Sequence, residues 1–299
     1  MNSIQSPSTF TIWFEAARPK TLAAAFVPIM VAAGLAYAND TLLYFPTFVA
    51  LICALLIQIG TNFANDYYDF IKGSDTDERV GFIRATSKGL VTPKSMKNAA
   101  FLTMLAAFII GLYLVWHGGL VILAIGLLSI LFGILYTAGP FPLGYNGLGD
   151  VFVFIFFGIA AVMGTYYVNA FEWTAQGFFA ALSVGALCVN ILVVNNLRDI
   201  QTDVKSGKRT IGVLFGEKAL KLEYVFMLLL AYAIPPHFLV QEGYNYWILL
   251  PFILIPFAVK LCLTIFKHTE KAALNATLES TARFMFLFGL LFTIGLVIG

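Results

Sequence analysis

Apolar residues run through this chain in long blocks, and polar residues collect in the gaps between them. Nine blocks of about 17–24 residues can be drawn, at approximately 21–38, 43–66, 98–116, 119–136, 150–168, 177–197, 221–240, 246–264 and 282–298. A bilayer core about 30 Å thick is crossed by a helix of about 20 apolar residues. The pattern therefore predicts an all-α integral membrane protein with nine transmembrane helices. Blocks two and six share an ending: each closes on an Asn/Asp cluster and leads into a long basic loop. Loop 70–97 holds Lys72, Arg79, Arg84, Lys88, Lys94 and Lys97; loop 198–221 holds Arg198, Lys205, Lys208, Arg209, Lys218 and Lys221. Two related four-helix units, roughly 21–136 and 150–264, with a ninth helix added, would produce this echo. No low-complexity tract or flexible linker interrupts the chain, so residues 1–299 read as one membrane-embedded domain.

Composition sharpens this picture. Hydrophobic residues make up 60% of the chain and charged residues 11%, with a mean hydropathy of +0.87. A soluble domain carries about 25% charged residues, so a soluble fold is excluded. Glu15, Arg18 and Lys20 stand just before the first block, with no separate short apolar region and cleavage site, so the first block is expected to be retained. Cys53, Cys188 and Cys262 all fall inside apolar blocks, which argues for packed side chains rather than a disulfide framework or a zinc site.

The net charge of +2 hides a strong polarity. With nine spans, all 18 Lys and Arg residues fall on one side, in its loops or at the helix ends facing it. The opposite loops carry Asp40, His117, Glu172 and Glu242 without a Lys or Arg. The positive-inside rule places the basic side in the cytoplasm. The expected setting is thus the cytoplasmic (inner) membrane, with the N-terminus inside and both acidic clusters near the cytoplasmic face.

Those clusters are where chemistry is expected. An ionised Asp at the centre of a membrane helix costs about 2.5–3.5 kcal/mol, so several carboxylates at one face call for a compensating ligand. Asn195, Asp199 and Asp203 recur at i, i+4 and i+8, which stacks them along one helix face with a drift of about 40° per step. Asn65 and Asp69 begin the same pattern, but Gly73 occupies the third position. Gly favours a break after Lys72, and Asp75 or Asp77 can then return to supply the missing carboxylate. Asp66 lies about 100° from Asn65 and belongs beside the stripe. Oxygen ligands of this kind suit Mg²⁺, which takes one or two carboxylates and shares substrate phosphates. The metal candidates are Asn65, Asp66, Asp69, Asp75, Asn195, Asp199 and Asp203. Helix capping or local ion pairing would be the ordinary reading of a single Asp here; two matched clusters on one side favour a site.

Acid and base in one pocket suit a diphosphate, whose oxygens are neutralised by metal and clamped by Lys or Arg. The cationic candidates are Arg18, Lys72, Arg84, Lys88, Arg198 and Lys208; Arg209 reads more economically as a topology-setting charge. The membrane setting adds a hydrophobic tail to the ligand. A lipid diphosphate, cleaved or bound from within the membrane, is the expected partner.

Five stretches resemble the UbiA superfamily of intramembrane prenyltransferases: Arg18 to Thr21; Asn65 to Asp69 through Lys72 to Asp75; Thr86 to Leu90; Tyr136 to Pro140 through Gly147 to Asp150; and Asn195 to Asp199 through Gly207 to Thr210. The resemblance covers nearly the whole chain and is strongest from about 13 to 220. Superfamily members usually carry Asp where this chain has Gly73. That departure resembles the branch that prenylates 1,4-dihydroxy-2-naphthoate on the way to menaquinone, where a later Asp substitutes, and it makes Asp75 a better candidate than Asp77. The resemblance implies that Asp69, Asp75, Asp199 and Asp203 hold Mg²⁺ against the diphosphate of a polyprenyl donor. It implies ionisation of the C1–O bond, attack by the acceptor ring, loss of the acceptor's carboxyl group, and a demethylmenaquinone product. Asp69, Asp199 and Tyr136 carry the catalytic roles in this reading, with Tyr136 the aromatic nearest the cation; interfacial anchoring is an equal account of that Tyr. The partners implied are the polyprenyl diphosphate, an aromatic acid and membrane lipid, with no nucleic acid; the oligomeric state is open. Two alternatives stand beside this one. A neighbouring superfamily member would use 4-hydroxybenzoate, homogentisate or a lipid alcohol, and a cation transporter would place its carboxylates near the midplane on broken helices.

Overall fold

The computed structural model describes residues 8–74, 84–267 and 270–299, and every regular element among them is helical. A short helix α1 (Thr9–Ala16) is followed by α2 (Ala23–Ala38), α3 (Tyr44–Ile71), α4 (Pro93–Gly118) and α5 (Leu120–Leu135). Then come α6 (Gly149–Ala170), α7 (Ala175–Lys205), α8 (Ile211–Gln241), α9 (Tyr246–Lys267) and α10 (Lys271–Ile298). Each of the nine apolar blocks corresponds to one of α2–α10, with ends that differ by at most two residues where a block runs past its helix.

The count of full spans differs from the expected nine. Seven helices among the described residues, α3, α4 and α6–α10, are long and apolar enough to cross a membrane. An eighth forms if α1 and α2 are taken together across a 50° bend. Helix α5 has only 16 residues, about 24 Å at 1.5 Å per residue, short of the bilayer core. The bend is local in origin. Arg18 adopts φ 54° and ψ 64°, a left-handed conformation that a side chain with a Cβ enters at a cost of about 1–3 kcal/mol. Asn62 donates to the Ala17 carbonyl at 2.9 Å, and Thr21 donates to the Arg18 carbonyl at 2.9 Å, which fixes the corner from both sides.

Helices α3 and α7 each pack most extensively on their successors, α4 and α8. At 28 and 31 residues they measure about 42 and 46 Å, more than the bilayer core of about 30 Å. Their final turns therefore project beyond the apolar region, and those turns carry the two acidic clusters. Helix α3 stops as expected: Lys72 caps it and Gly73 follows at φ 66°.

The interior of the second unit and α10 is built from large side chains, among them Tyr166, Tyr224, Phe238, Phe284, Phe288 and Phe292, all buried. The outer faces of α4 and α5 expose Phe101, Ile109, Trp116 and Leu120, as a helix in lipid should. Helices α6 and α7 approach closely at Gly158 and Gly185, where a Cβ on Gly158 would lie 2.7 Å from the Gly185 Cα. Residues Phe154–Ala160 of α6 are wound as a π-helix, a local widening often found at functional sites. That stretch faces the cavity described next.

Candidate active site

A cavity of about 390 Å³ lies among α2–α7. On α3 its wall runs from Ala50 to Asp69, about 28 Å along the helix axis. The lower wall is apolar, with Cys53, Leu114, Ile122, Phe156 and Val168; the upper end is polar, with Asn65, Asp69, Asn195, Asp199 and Asp203. The two clusters, 130 positions apart at Asp69 and Asp199, thus face one space. A space with a charged mouth and a long apolar body matches a polar head attached to a hydrocarbon tail.

Each cluster carries its own cation. Asp69, 2% exposed, is paired with Arg84 (Nη2 to Oδ2, 2.6 Å), and Lys208 Nζ lies 3.7 Å from its other oxygen. Asp199 is gripped by Arg198 from the next position in sequence, at 2.8 and 2.7 Å. The same guanidinium donates to Asn195 Oδ1 at 2.7 Å and to Asn275 Oδ1 on α10 at 2.8 Å. Asn65 accepts from the Thr137 hydroxyl at 2.8 Å. Arg18, Arg84, Arg198 and Lys208 all line the cavity beside the carboxylates.

Three predicted residues sit elsewhere. Asp66 is buried outside the cavity, and both its oxygens accept backbone N–H groups, from Ala85 at 2.9 Å and Thr86 at 3.0 Å. It anchors the turn that presents Arg84. Lys88 is exposed and does not line the cavity. Lys72 stands at the rim, where its ammonium donates to the carbonyls of Thr137 at 2.7 Å and Gly139 at 3.4 Å. Burial pulls Lys72 below the ordinary lysine pKa, with Asp69 opposing the shift and Lys208 adding to it. Asp75 and Asp77 lie outside the described residues.

The donor set is all oxygen and mostly carboxylate, the chemistry that Mg²⁺ prefers. Among the described residues no three His, Cys, Asp or Glu side chains are gathered around one point. The carboxylates stand instead on two walls, an arrangement that fits ions shared with a ligand's phosphate oxygens better than an all-protein cage.

Tyr136, the cap of α5, is wedged between two glycines. A Cβ on Gly144 would lie 2.8 Å from its ring, and one on Gly149 would lie 3.0 Å from its hydroxyl. Its ring lines the cavity. Gly144→Ala is expected to displace this ring and to lower stability by about 1–3 kcal/mol, the usual cost of overpacking. Thermal unfolding of the detergent-solubilised variant measures it, and an unchanged midpoint would show that the ring is not wedged.

Sequence reasoning missed Tyr145 and Ser74. Tyr145 donates to Asp69 Oδ1 at 2.6 Å and lies 2.6 Å from Ser74 Oγ. It stands 76 positions beyond Asp69 in the connection between the two units, a Gly/Pro-rich loop in which the sequence singled out Tyr136 and gave no period that would aim Tyr145 at the cluster.

Comparison with known proteins bears on the whole chain. Residues 25–293 match the UbiA prenyltransferase family. The chain is 34% identical over 298 residues to the 1,4-dihydroxy-2-naphthoate octaprenyltransferase of Haemophilus influenzae, covering 96% of each chain. It is 35% identical over 300 residues to the enzyme of the same name from Escherichia coli, covering 98% of this chain and 97% of that one. Among solved structures, it resembles a UbiA homolog from Archaeoglobus fulgidus bound to DMAPP and Mg²⁺, at a TM-score of 0.64 and 13% identity over 94% of this chain and 99% of that one.

Proposed function

The chain belongs to the UbiA prenyltransferase family, and on that premise we propose that it transfers a polyprenyl group from a polyprenyl diphosphate to 1,4-dihydroxy-2-naphthoate. The acceptor's carboxyl group leaves as CO₂, and diphosphate and demethylmenaquinol, the reduced form of demethylmenaquinone, result. The protein is a membrane-embedded aromatic prenyltransferase acting as one domain. The observation that carries this reading is the cavity, whose charged mouth and apolar body suit a prenyl diphosphate. The choice of acceptor is supported by the relatives just named.

The residues divide the work by position. The diphosphate lies at the mouth, where Arg84, Arg198 and Lys208 turn charge toward it and Arg18 approaches from the α1–α2 corner. Asn65 and Asp69 on one wall and Asn195, Asp199 and Asp203 on the other would hold Mg²⁺, and Asp75 would complete the first set. When bound, that metal neutralises the diphosphate oxygens and stabilises the charge that develops as C1–O breaks. The aromatic ring of Tyr136 would face the allylic cation. Apolar walls keep water away from it, so the electron-rich acceptor ring is the nucleophile and forms the new C–C bond.

The test uses purified protein with Mg²⁺, a series of prenyl diphosphates and a panel of aromatic acids, with product masses measured. A prenylated naphthoquinol lacking the carboxyl carbon is expected. Prenylated 4-hydroxybenzoate that keeps its carboxylate, with nothing made from the naphthoate, would move the chain to the neighbouring branch. Chelation by EDTA is expected to abolish turnover, and added Mg²⁺ to restore it. The reading also places the mouth of the cavity in the cytoplasm of an inner membrane. Single cysteines at positions 88 and 205 should then label from the cytoplasmic side, and those at 117 and 242 from the opposite side; labelling of 88 and 205 from different sides would contradict a shared site.

A further inference from the structure

Tyr145 belongs to neither acidic cluster, yet it touches parts of both units. Its hydroxyl donates to Asp69 Oδ1 at 2.6 Å and lies 2.6 Å from Ser74 Oγ. A phenol has one hydrogen, so Ser74 is the donor in the second bond. Its ring centre lies 4.9 Å from Lys72 Nζ and 4.5 Å from Lys208 Nζ. Its backbone carbonyl accepts from the Arg209 N–H at 2.8 Å. One residue of the inter-unit connection thus meets the end of the first cluster and the middle of the second unit's basic loop.

The local chemistry explains why such a residue is needed. Lys72 and Lys208 both lie over the Tyr145 ring, and Lys208 is only 8% exposed. Left to itself, a flexible lysine stem would carry its ammonium out to water or fully onto Asp69. An aromatic face attracts an ammonium electrostatically without offering it an anion. Tyr145 therefore holds Lys208 at the mouth, and its hydroxyl turns the Asp69 carboxylate. The turn carrying Tyr145 is itself fixed. Lys72 holds the carbonyls of Thr137 and Gly139, and a Cβ on Gly147, at φ 73°, would lie 3.2 Å from the Arg209 carbonyl.

We propose that Tyr145 is a positioning residue for the diphosphate site, its ring holding Lys208 at the cavity mouth and its hydroxyl orienting Asp69. This rests on the proposed function only in taking the ligand to be a diphosphate.

Two variants separate the two roles. Tyr145→Phe keeps the ring and removes the hydroxyl; Tyr145→Leu removes both. Binding of inorganic pyrophosphate is measured by calorimetry in the presence of EDTA, and donor KM and kcat across a Mg²⁺ series. Tyr145→Leu should weaken pyrophosphate binding and raise donor KM by about tenfold, the loss expected from two cation–π contacts of ordinary strength. Tyr145→Phe should bind pyrophosphate as wild type does, but need more Mg²⁺ for half-maximal rate. Wild-type pyrophosphate affinity in Tyr145→Leu would overturn the proposal, and so would kcat losses in both variants with KM and Mg²⁺ requirement unchanged. If Tyr145→Leu does not fold, as judged by gel filtration, an unchanged Mg²⁺ requirement in Tyr145→Phe overturns it. Failure of the wild-type protein to bind pyrophosphate also overturns it. Failure of the wild-type protein to turn over any prenyl diphosphate instead sinks the proposed function, while the binding comparison still decides the role of Tyr145.

Discussion

Asp199→Asn is expected to lower prenyl-transfer turnover by about 100-fold or more, the usual consequence of losing one preorganised electrostatic group. The substitution keeps the side chain's shape and leaves an amide oxygen that Arg198 can still bond, so the fold should survive. What disappears is a negative charge at a position 2% exposed and facing the diphosphate end of the cavity. That charge matters most as the leaving group develops its own, so the loss should appear in kcat and deepen when Mg²⁺ is scarce. Asp69→Asn and Asp203→Asn should behave alike, Asp75→Asn close behind, and Asp77→Asn more mildly. Asp66→Asn should act differently, through stability, because its oxygens accept from two backbone amides. Near-normal turnover of Asp199→Asn at limiting Mg²⁺ would remove this residue from the site.

The second large effect concerns Arg198. Its guanidinium makes two bonds to Asp199 and one each to Asn195 and Asn275. Arg198→Leu leaves Asp199 buried beside an apolar chain, and breaking a buried pair from one side costs about 3–5 kcal/mol. The variant should unfold at a clearly lower temperature in detergent. Replacing both members, Arg198→Leu with Asp199→Leu, should recover much of that stability, because no buried charge is then stranded, while turnover stays lost. A single variant as stable as wild type, or a double variant no better than the single, would show that Arg198 does not compensate a buried Asp199 charge.

The helices and the acidic stripes were legible in the sequence because both are local properties. An apolar block of about 20 residues must satisfy its own backbone in lipid, whatever surrounds it. Asn195, Asp199 and Asp203 must share a face once α7 is helical, and Gly73 ends α3 through its own backbone freedom. Composition and lysine placement were equally readable, since neither depends on what touches what. The shortness of α5 was harder to see, because an apolar block and the helix within it need not have the same length.

Roles that depend on contact were not legible. Asp66 and Asp69 are neighbours in the same motif, yet one faces backbone amides and the other the cavity; the 100° step between them decides this only once the turn at Ala85 is in place. Lys88 and Arg84 are four positions apart, and only Arg84 turns inward. Tyr145 reaches Asp69 across 76 positions through a turn whose glycines leave room for Tyr136. By itself, the sequence determined an all-helical membrane protein with two oxygen-rich helix ends on one side, because helix period and transfer free energy act residue by residue. Only the tertiary structure decided which charges face one another and which aromatic ring lies between them, because those distances are set by packing between segments far apart in the chain.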